Sequence, residues 1–275
     1  MKPARFAYHR AATVASAVEL LEEFGDDAKV IAGGQSLTAM MAFRLARPEH
    51  LVDIAHIDGL SEIRRDGDTL HIGALVTHHA VERADLGPDF AVLSRTMRWV
   101  GHLPIRTRGT VGGSLAHADA TAEWCSLAVL LGADIVVAGP SGRRAVPAAD
   151  FFLGPYTTVL EPAEMIVEVV FPRPAPHAAL TEFAERQGDF AIVSAAVDLD
   201  GAPHPTVVLG GVAGTPVSVE IDPGNWDPEA PSRFGDLADW VAAAVDLRDG
   251  GDYSAHYRRG LVRTLVQRAC EEAAA

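Results

Sequence analysis

Two double-glycine turns carry the residue types that could bind a phosphorylated ligand. They are Ala32-Gly33-Gly34-Gln35-Ser36-Leu37 and Thr110-Val111-Gly112-Gly113-Ser114-Leu115, and a helix is expected to start after each. Glycine lets the backbone approach a phosphate without an intervening Cβ, and the amides and serine hydroxyls that follow can donate hydrogen bonds to its oxygens. Because two such turns can clasp one long anionic cofactor, the pair predicts a dinucleotide site.

The segments around the first turn suit this role. A short apolar run, 29–32, precedes it, and a stretch of helical composition, 37–44, follows it. A strand, a glycine turn and a helix in this order favour anion binding, although an isolated Gly-Gly pair is commonly an ordinary turn. Neither turn has the Gly-x-Gly-x-x-Gly spacing of a Rossmann fingerprint or the Gly-Lys-Ser/Thr ending of a P-loop. A standard nucleotide-binding fold is therefore not expected.

Capping and turn residues predict the elements between the motifs. Thr13 and Thr77 each precede a segment with helical spacing, and the first of these helices should end at Gly25. A longer helix is expected over 89–100, and another from Glu123 to Leu131. Hairpins are expected with their turns at 66–68 and 139–142.

The proline-rich segment 171–176 marks a change of organisation. Its three prolines interrupt both a helix and the pairing of a central strand, which predicts a linker. Beyond it, apolar runs predict three strands of a small antiparallel sheet, covered by two amphipathic helices. The strands are expected over 180–185, 191–199 and 206–212, with a turn at Asp200-Gly201, and the helices over 237–245 and 257–269; the stretch 221–231 has the composition of a loop.

Several separated motifs, in a fixed order, resemble those of a known family. The chain is similar to the flavin-binding medium subunit of the xanthine dehydrogenase and carbon monoxide dehydrogenase group of molybdenum hydroxylases, and the likeness runs nearly end to end. The motifs are Ala32-Gly-Gly-Gln-Ser-Leu37, Arg44-Leu-Ala-Arg-Pro-Glu-His-Leu-Val-Asp53, Ile105-Arg106 leading into Thr110-Val-Gly-Gly-Ser-Leu-Ala-His-Ala-Asp119, Phe151-Phe-Leu-Gly-Pro-Tyr-Thr-Thr158 and Gly188-Asp-Phe-Ala191.

The resemblance implies a fold and a domain division. The expected class is α+β, with an FAD-binding domain of the vanillyl-alcohol-oxidase (PCMH) type over 1–172, made of two α/β lobes of about 1–56 and 57–172. The C-terminal α+β domain, with its three-stranded sheet, would then occupy 177–275. A length of 275 residues with 48% hydrophobic content is enough for two such domains.

The resemblance also implies which positions bind FAD, and it places no catalytic residue and no metal ligand on this chain. The first turn would wrap the pyrophosphate, the second would close on it, and two acidic residues would lie near the flavin side, where a carboxylate can accept a ribityl hydroxyl. Three further positions would pack beside the cofactor. In that order, the residues are Ile31, Ala32, Gly33, Gly34, Gln35, Ser36 and Leu37; Thr110, Gly112, Gly113 and Ser114; Asp119 and Glu123; and Val100, Ile166 and Phe190.

Some of these positions have an ordinary structural alternative. Glu123 could simply favour the start of its helix, where an acidic side chain interacts well with the dipole. Val100, Ile166 and Phe190 could equally be core residues. Phe190 also departs from the carbon monoxide dehydrogenase type, which carries tyrosine there, so its contact with the ring would be apolar.

Charge and hydropathy exclude other classes of function. A formal net charge of −14 and a pI near 5.1 would repel nucleic acid, and no run of about 18 apolar residues predicts a membrane span. A cytoplasmic protein is expected. A [2Fe–2S] cluster needs four thiolates, and the chain has only Cys125 and Cys270, which are expected to be buried apolar residues. The histidines show no metal-binding spacing.

The function implied by the resemblance is electron transfer. Substrate would be hydroxylated at a molybdopterin centre on a large subunit, and iron–sulfur clusters on a small subunit would pass the electrons to FAD on this chain. The flavin would deliver them to an external acceptor, and the assembly would be a dimer of heterotrimers. Such a site needs no nucleophile or dedicated base here, since the chemistry belongs to the cofactor.

Two other functions stay open at this point. A stand-alone flavin oxidase would need its own base, for which His117 or Tyr156 could serve. A cofactor-free assembly subunit would not need Gly33, Gly34, Gly112 and Gly113, so their presence argues against it.

Overall fold

Three main sheets organise the chain, and the computed structural model describes residues 2–201, 204–221, 224, 226–249 and 252–275. The first sheet is parallel, with the strand order β1-β3-β2, and its core is formed by residues such as Leu21 and Val52. Thr13 caps the first helix, because its hydroxyl accepts a hydrogen bond from the Ser16 amide at 3.1 Å, as predicted. The elements are β1 (Ala7–Arg10), α1 (Val14–Phe24), β2 (Ala28–Ile31), α2 (Gln35–Ala42) and β3 (His50–Asp53).

The second sheet is antiparallel, with five strands in the order β4-β5-β10-β6-β7, and short helices pack on it. Its outer pairs, β4-β5 and β6-β7, are the two predicted hairpins. In chain order the elements are β4 (Ile63–Asp66), β5 (Thr69–Gly73), α3 (His78–Arg83), α4 (Ala91–Thr96), α5 (Leu103–Arg106), α6 (Val111–His117), α7 (Glu123–Leu130), β6 (Asp134–Gly139), β7 (Gly142–Pro147), α8 (Ala148–Phe151), β8 (Phe152–Gly154), β9 (Thr157–Thr158) and β10 (Met165–Phe171).

The single helix predicted over 89–100 is shorter in the structure. A 3₁₀ turn, Pro88–Phe90, precedes α4, and the backbone after Thr96 continues as tight turns with hydrogen bonds three residues apart. The Ser94 hydroxyl donates to the Ala91 carbonyl at 3.1 Å, so a side chain competes for a backbone acceptor inside the helix.

The third sheet is antiparallel and has four strands, so the prediction of three was wrong in number. The added edge strand is Val217–Val219, and its three residues pair with Val207–Leu209. A strand this short, after a glycine-rich turn, has little signal in the sequence. Of the predicted loop over 221–231, residues 222, 223 and 225 lie outside the described residues. The elements are β11 (Ala178–Phe183), β12 (Val193–Asp198), β13 (Thr206–Gly210), β14 (Val217–Val219), α9 (Arg233–Ala244) and α10 (Ala255–Ala273).

The third sheet buries both of its faces. One face, with Leu180, Ala196 and Val208, belongs to the same continuous core as the second sheet and α7. The other face packs on α9 and α10, with alternate residues such as Val197 and Leu209. The α+β class is confirmed, whereas the domain limits stay a prediction.

An ion pair fixes the predicted linker to the third sheet. Arg173 Nη2 donates to Asp198 Oδ2 at 2.5 Å, and Asp198, on β12, is fully buried. The other carboxylate oxygen of Asp198 accepts a hydrogen bond from the Asp200 amide at 3.0 Å. The Ala175 amide donates to the Asp89 carbonyl at 2.8 Å, so the segment contacts both neighbouring units.

Both cysteines, Cys125 and Cys270, are buried free thiols, as predicted. Across the described residues, no three His, Cys, Asp or Glu side chains gather where they could hold a metal ion. None of the helices in the described part of the chain has both the length and the apolar character needed to cross a bilayer.

Candidate cofactor site

The two glycine turns lie side by side. A Cβ built on Gly33 would lie 1.9 Å from the Arg108 carbonyl oxygen and 3.0 Å from the Gly109 Cα. Residues 108–109 lead directly into Thr110, where the second turn begins. The absence of a side chain at Gly33 therefore allows the close approach that a clasp on one ligand requires.

The first turn presents a row of unpaired donors. Gly34 adopts a left-handed conformation (φ 70°) and precedes α2, and the Thr38 amide and hydroxyl both donate to its carbonyl oxygen. Within the described part of the chain, the amides of residues 33–37 donate to no protein acceptor. Because this turn is only half-buried and opens a helix, the free amides and the helix dipole together fit an anionic group.

The second turn differs from the first in its hydrogen bonds. Helix α6 already begins at Val111, and the four amides from Val111 to Ser114 all have protein acceptors. Gly112 donates to the Ala74 carbonyl at 2.9 Å, and a Cβ on it would lie 2.6 Å from the Ala74 Cβ. What this turn can offer a ligand is the exposed edge of Gly113 and the Ser114 hydroxyl, so the predicted contacts of Thr110, Gly112, Gly113 and Ser114 stay predictions.

Asp119 orders the turn between α6 and α7. Its Oδ1 accepts hydrogen bonds from the Thr121 amide at 2.9 Å and the Thr121 hydroxyl at 2.7 Å, and its Oδ2 accepts one from the Tyr156 hydroxyl at 3.1 Å. Ala118 and Tyr156 both have positive φ angles, and the Tyr156 amide donates to the Ala118 carbonyl. This contact of Tyr156 could not be foreseen from the sequence, because the two segments are far apart in the chain.

Burial is the main cause of the pKa shifts of the residues around this turn. Loss of hydration raises the pKa of Glu123 to about 7, and the negative charge of Asp119 adds to the shift. Burial lowers the pKa of His117, whose ring packs 5.0 Å from that of Tyr156. Partial burial, together with the nearby Asp119, raises the pKa of the Tyr156 phenol, which makes it a poor base at neutral pH.

The three packing positions fall into two groups. Val100 and Ile166 are buried core side chains, and Ile166 lies at an irregularity in the pairing of β10 with β6. Phe190 is 64% exposed, so its ring is available for a contact. Its loop lies against the segment after Val100, because a Cβ on Gly188 would lie 2.6 Å from the His102 ring.

A buried histidine supports the second turn from behind. His78 is 4% exposed, and its Nδ1 accepts a hydrogen bond from the Trp124 indole at 3.0 Å. The ring also lies against Gly109, where a Cβ would be 2.9 Å from its Cδ2. Burial lowers the pKa of His78 to about 4, and the positive charge of Arg106 contributes, so the ring is neutral when it joins the turn to α7.

We expect acid to weaken the fold through His78. The unfolded chain takes up a proton near the ordinary pKa of 6.5 and the folded chain only near 4, so stability falls as the pH drops through this window. The contribution of this residue at pH 5 is about 2 kcal/mol below that at pH 7. Urea denaturation at several pH values gives the slope of the free energy of unfolding against pH. This slope should be shallower for His78→Asn, which keeps an acceptor for the indole, than for the wild type. The exposed control His56→Ala should keep the wild-type slope; identical slopes for all three proteins would contradict the assignment.

Comparisons with known proteins identify the family of this chain. Residues 4–174 match the family model described as the FAD binding domain in molybdopterin dehydrogenase. The 6-hydroxypseudooxynicotine dehydrogenase complex subunit alpha of Paenarthrobacter nicotinovorans is 38% identical, over 99% of this chain and 96% of that protein. The nicotine 6-hydroxylase medium subunit of the same organism is 34% identical, over 100% and 99%.

A solved structure shows the same likeness over the whole chain. It is a carbon monoxide dehydrogenase from Hydrogenophaga pseudoflava, which matches with a TM-score of 0.92 and 33% identity, covering 99% of this chain and 98% of that one. The family match extends over more than half of the residues and includes both glycine turns. The chain therefore belongs to the family of FAD-binding domains of molybdopterin dehydrogenases, as the sequence motifs implied.

Proposed function

We propose that this chain is the electron-transfer subunit of a molybdenum hydroxylase complex, in which it receives electrons from a partner and passes them to an external acceptor. The observation that supports it best is the row of unpaired amides at 33–37, which lies beside the second turn and opens α2. Family membership supports FAD as the anionic ligand of this row. When bound, FAD supplies the redox chemistry of the site.

The residues of this chain have the tasks of binding and orientation. We assign the FAD pyrophosphate to the first turn, where the helix dipole and free donors oppose its charge. Asp119 and Glu123 lie on the turn and helix that follow the second clasp, which suits the ribityl and flavin side. Phe190 offers an exposed apolar ring to the flavin, and Val100 and Ile166 would support the pocket from the core.

The partners in this proposal are a large molybdopterin subunit and a small subunit with [2Fe–2S] clusters, arranged as a dimer of heterotrimers. The relatives support a complex, since they are named as a complex subunit alpha and a medium subunit. Cluster ligation by this chain is disfavoured, because burial raises the pKa of both Cys125 and Cys270 and keeps the thiols neutral.

Titration of the purified full chain with FAD tests the binding step. We expect one FAD per chain, seen as quenching of free-flavin fluorescence and a change in the flavin absorption bands. Binding should weaken as salt rises, because part of the attraction is between the pyrophosphate and the amide dipoles. A chain that neither binds added FAD nor carries flavin in its native complex would contradict the proposal.

Purification of the native complex tests the partner assignment. We expect two additional subunits, with molybdenum and iron in the preparation. Reduction of the flavin by substrate only when those subunits are present would support the electron-transfer role, whereas substrate turnover by this chain alone would favour the stand-alone oxidase.

A further inference from the structure

A row of polar positions crosses the face of the third sheet that packs against α7, the same face as Leu180, Ala196 and Val208. Glu182 on β11 pairs directly with Ser194 on β12, and Ser194 pairs directly with Gly210 on β13. Directly opposed residues of an antiparallel sheet point to the same face, so the two side chains and the bare glycine lie side by side. The neighbouring residue Thr181 points to the other face, where its hydroxyl donates to the Leu265 carbonyl at 2.8 Å.

Helix α7 covers this row with two polar side chains of its own. A Cβ built on Gly210 would lie 2.4 Å from the Ser194 Oγ and 3.1 Å from the Ser126 Oγ, so Ser126 reaches the row directly. Glu123 is three residues earlier in the same helix and therefore lies on the same side, one turn away. The glycine at position 210 provides the space in which the serine hydroxyls approach each other.

Three oxygen atoms in this seam have no hydrogen-bond partner within the described part of the protein. They are the Ser126 Oγ, the Ser194 Oγ and the Glu182 Oε2, and all three side chains are more than nine-tenths buried. A buried polar atom without a hydrogen bond is costly, so such atoms are usually satisfied by a proton, a water or a ligand. These three oxygens are therefore positions where a proton or a water can be held inside the seam.

Among the residues that the structure describes, no cation compensates the carboxyl groups of this seam. Burial raises the pKa of Glu182 to about 8, and the negative charge of Glu123 is the charge that adds to this shift. Asp119 acts in turn on Glu123, and the Cys125 thiol beside it is kept neutral by burial. Two carboxyl groups, one buried and one half-buried, that act on each other in this way lose their protons in two separate steps.

We propose that Glu123 and Glu182 hold a single proton between them, and that this proton makes the affinity for FAD depend on pH. The inference rests on the proposed function, since Glu123 is one of the two residues assigned to the flavin side. With the proton on Glu182, Glu123 can stay a carboxylate and accept a ribityl hydroxyl. Loss of that proton would place a second negative charge beside an anionic cofactor.

The chain without FAD provides the first test. The folded state keeps a proton on Glu182 that the unfolded chain releases near the ordinary pKa of 4.5, so wild-type stability should fall as the pH rises from about 5 to about 8 and then level off. Glu182→Gln keeps the shape of the side chain and cannot ionise. Its urea-denaturation profile should lose the Glu182 part of this fall, whereas the control Ser194→Ala, which removes a polar group from the same row, should retain it.

FAD titrations of the same three proteins provide the second test. Between about pH 7 and pH 9 the dissociation constant of the wild type and of Ser194→Ala should rise by up to about tenfold for each pH unit, while that of Glu182→Gln should stay nearly constant.

Equal pH profiles for wild type and Glu182→Gln in the first test would overturn the shared proton. Equal FAD profiles in the second would overturn its link to the cofactor. Absence of FAD binding by all three proteins at every pH would instead refute the proposed function, and the first test would still decide the carboxyl pair.

Discussion

Gly33→Ala is expected to lower the affinity for FAD by about 100-fold, because overpacking of this kind costs about 3 kcal/mol. The added Cβ would lie 1.9 Å from the Arg108 carbonyl oxygen, which is backbone and cannot move aside as a flexible side chain can. The first turn must then shift away from the second, and the free amides of 33–37 lose their common direction. Fluorescence titration with FAD measures the effect, with circular dichroism to verify that the fold is retained.

Gly260→Ala is the matched control for this experiment. Gly260 lies inside α10, and a Cβ there would meet nothing within 4 Å. The same substitution should therefore stabilise the protein by up to about 1 kcal/mol through helix propensity and leave the affinity for FAD unchanged. If Gly33→Ala bound FAD as tightly as Gly260→Ala, the close approach of the two turns would have no role in binding.

Arg173→Ala is expected to lower the free energy of unfolding by about 3 kcal/mol, the low end of the range for breaking a buried ion pair. Asp198 is fully buried, so removal of its partner leaves a carboxylate without a compensating charge. The side chain of Arg173 is 40% exposed, and solvent screening therefore places the effect at the lower end. Urea denaturation at neutral pH measures the change.

The double variant Arg173→Ala/Asp198→Asn separates the charge from the packing. An amide at position 198 can still accept from the Asp200 amide, and it carries no charge that needs a partner. We expect the double variant to recover most of the loss, because an unpaired buried charge is the main cost. A double variant as unstable as Arg173→Ala would mean that the arginine acts mainly through the packing of its alkyl chain.

The first turn could be predicted from the sequence because every signal for it is local. The strand, the glycines and the helix start are neighbours in the chain, and the structure has them in that order. The second turn has nearly the same sequence pattern but a different hydrogen-bond pattern. Two of its four amides, those of Val111 and Gly112, donate to the carbonyl groups of Val76 and Ala74, which are more than 30 residues away in the chain, so a local pattern could not reveal that these donors are occupied.

The supporting side chains were missed for the same reason. His78 and Trp124 form one hydrogen bond across 46 residues, and Glu182 and Ser194 become neighbours only through the register of β11 and β12. Each residue type alone is unremarkable in the sequence. Burial shifts the pKa values of His78 and Glu182, and the pairing of the strands leaves oxygens of Glu182 and Ser194 unsatisfied. Both effects depend on the tertiary fold.

The shared core of the second and third sheets has a consequence for how this protein comes apart. Leu180, Ala196 and Val208 complete the apolar layer beneath α7, so a fragment that stopped at residue 174 would leave that layer open to water. The matched family segment is thus an evolutionary unit whose melting is coupled to the rest of the chain. Heat or denaturant should unfold the second and third sheets together, in one cooperative transition.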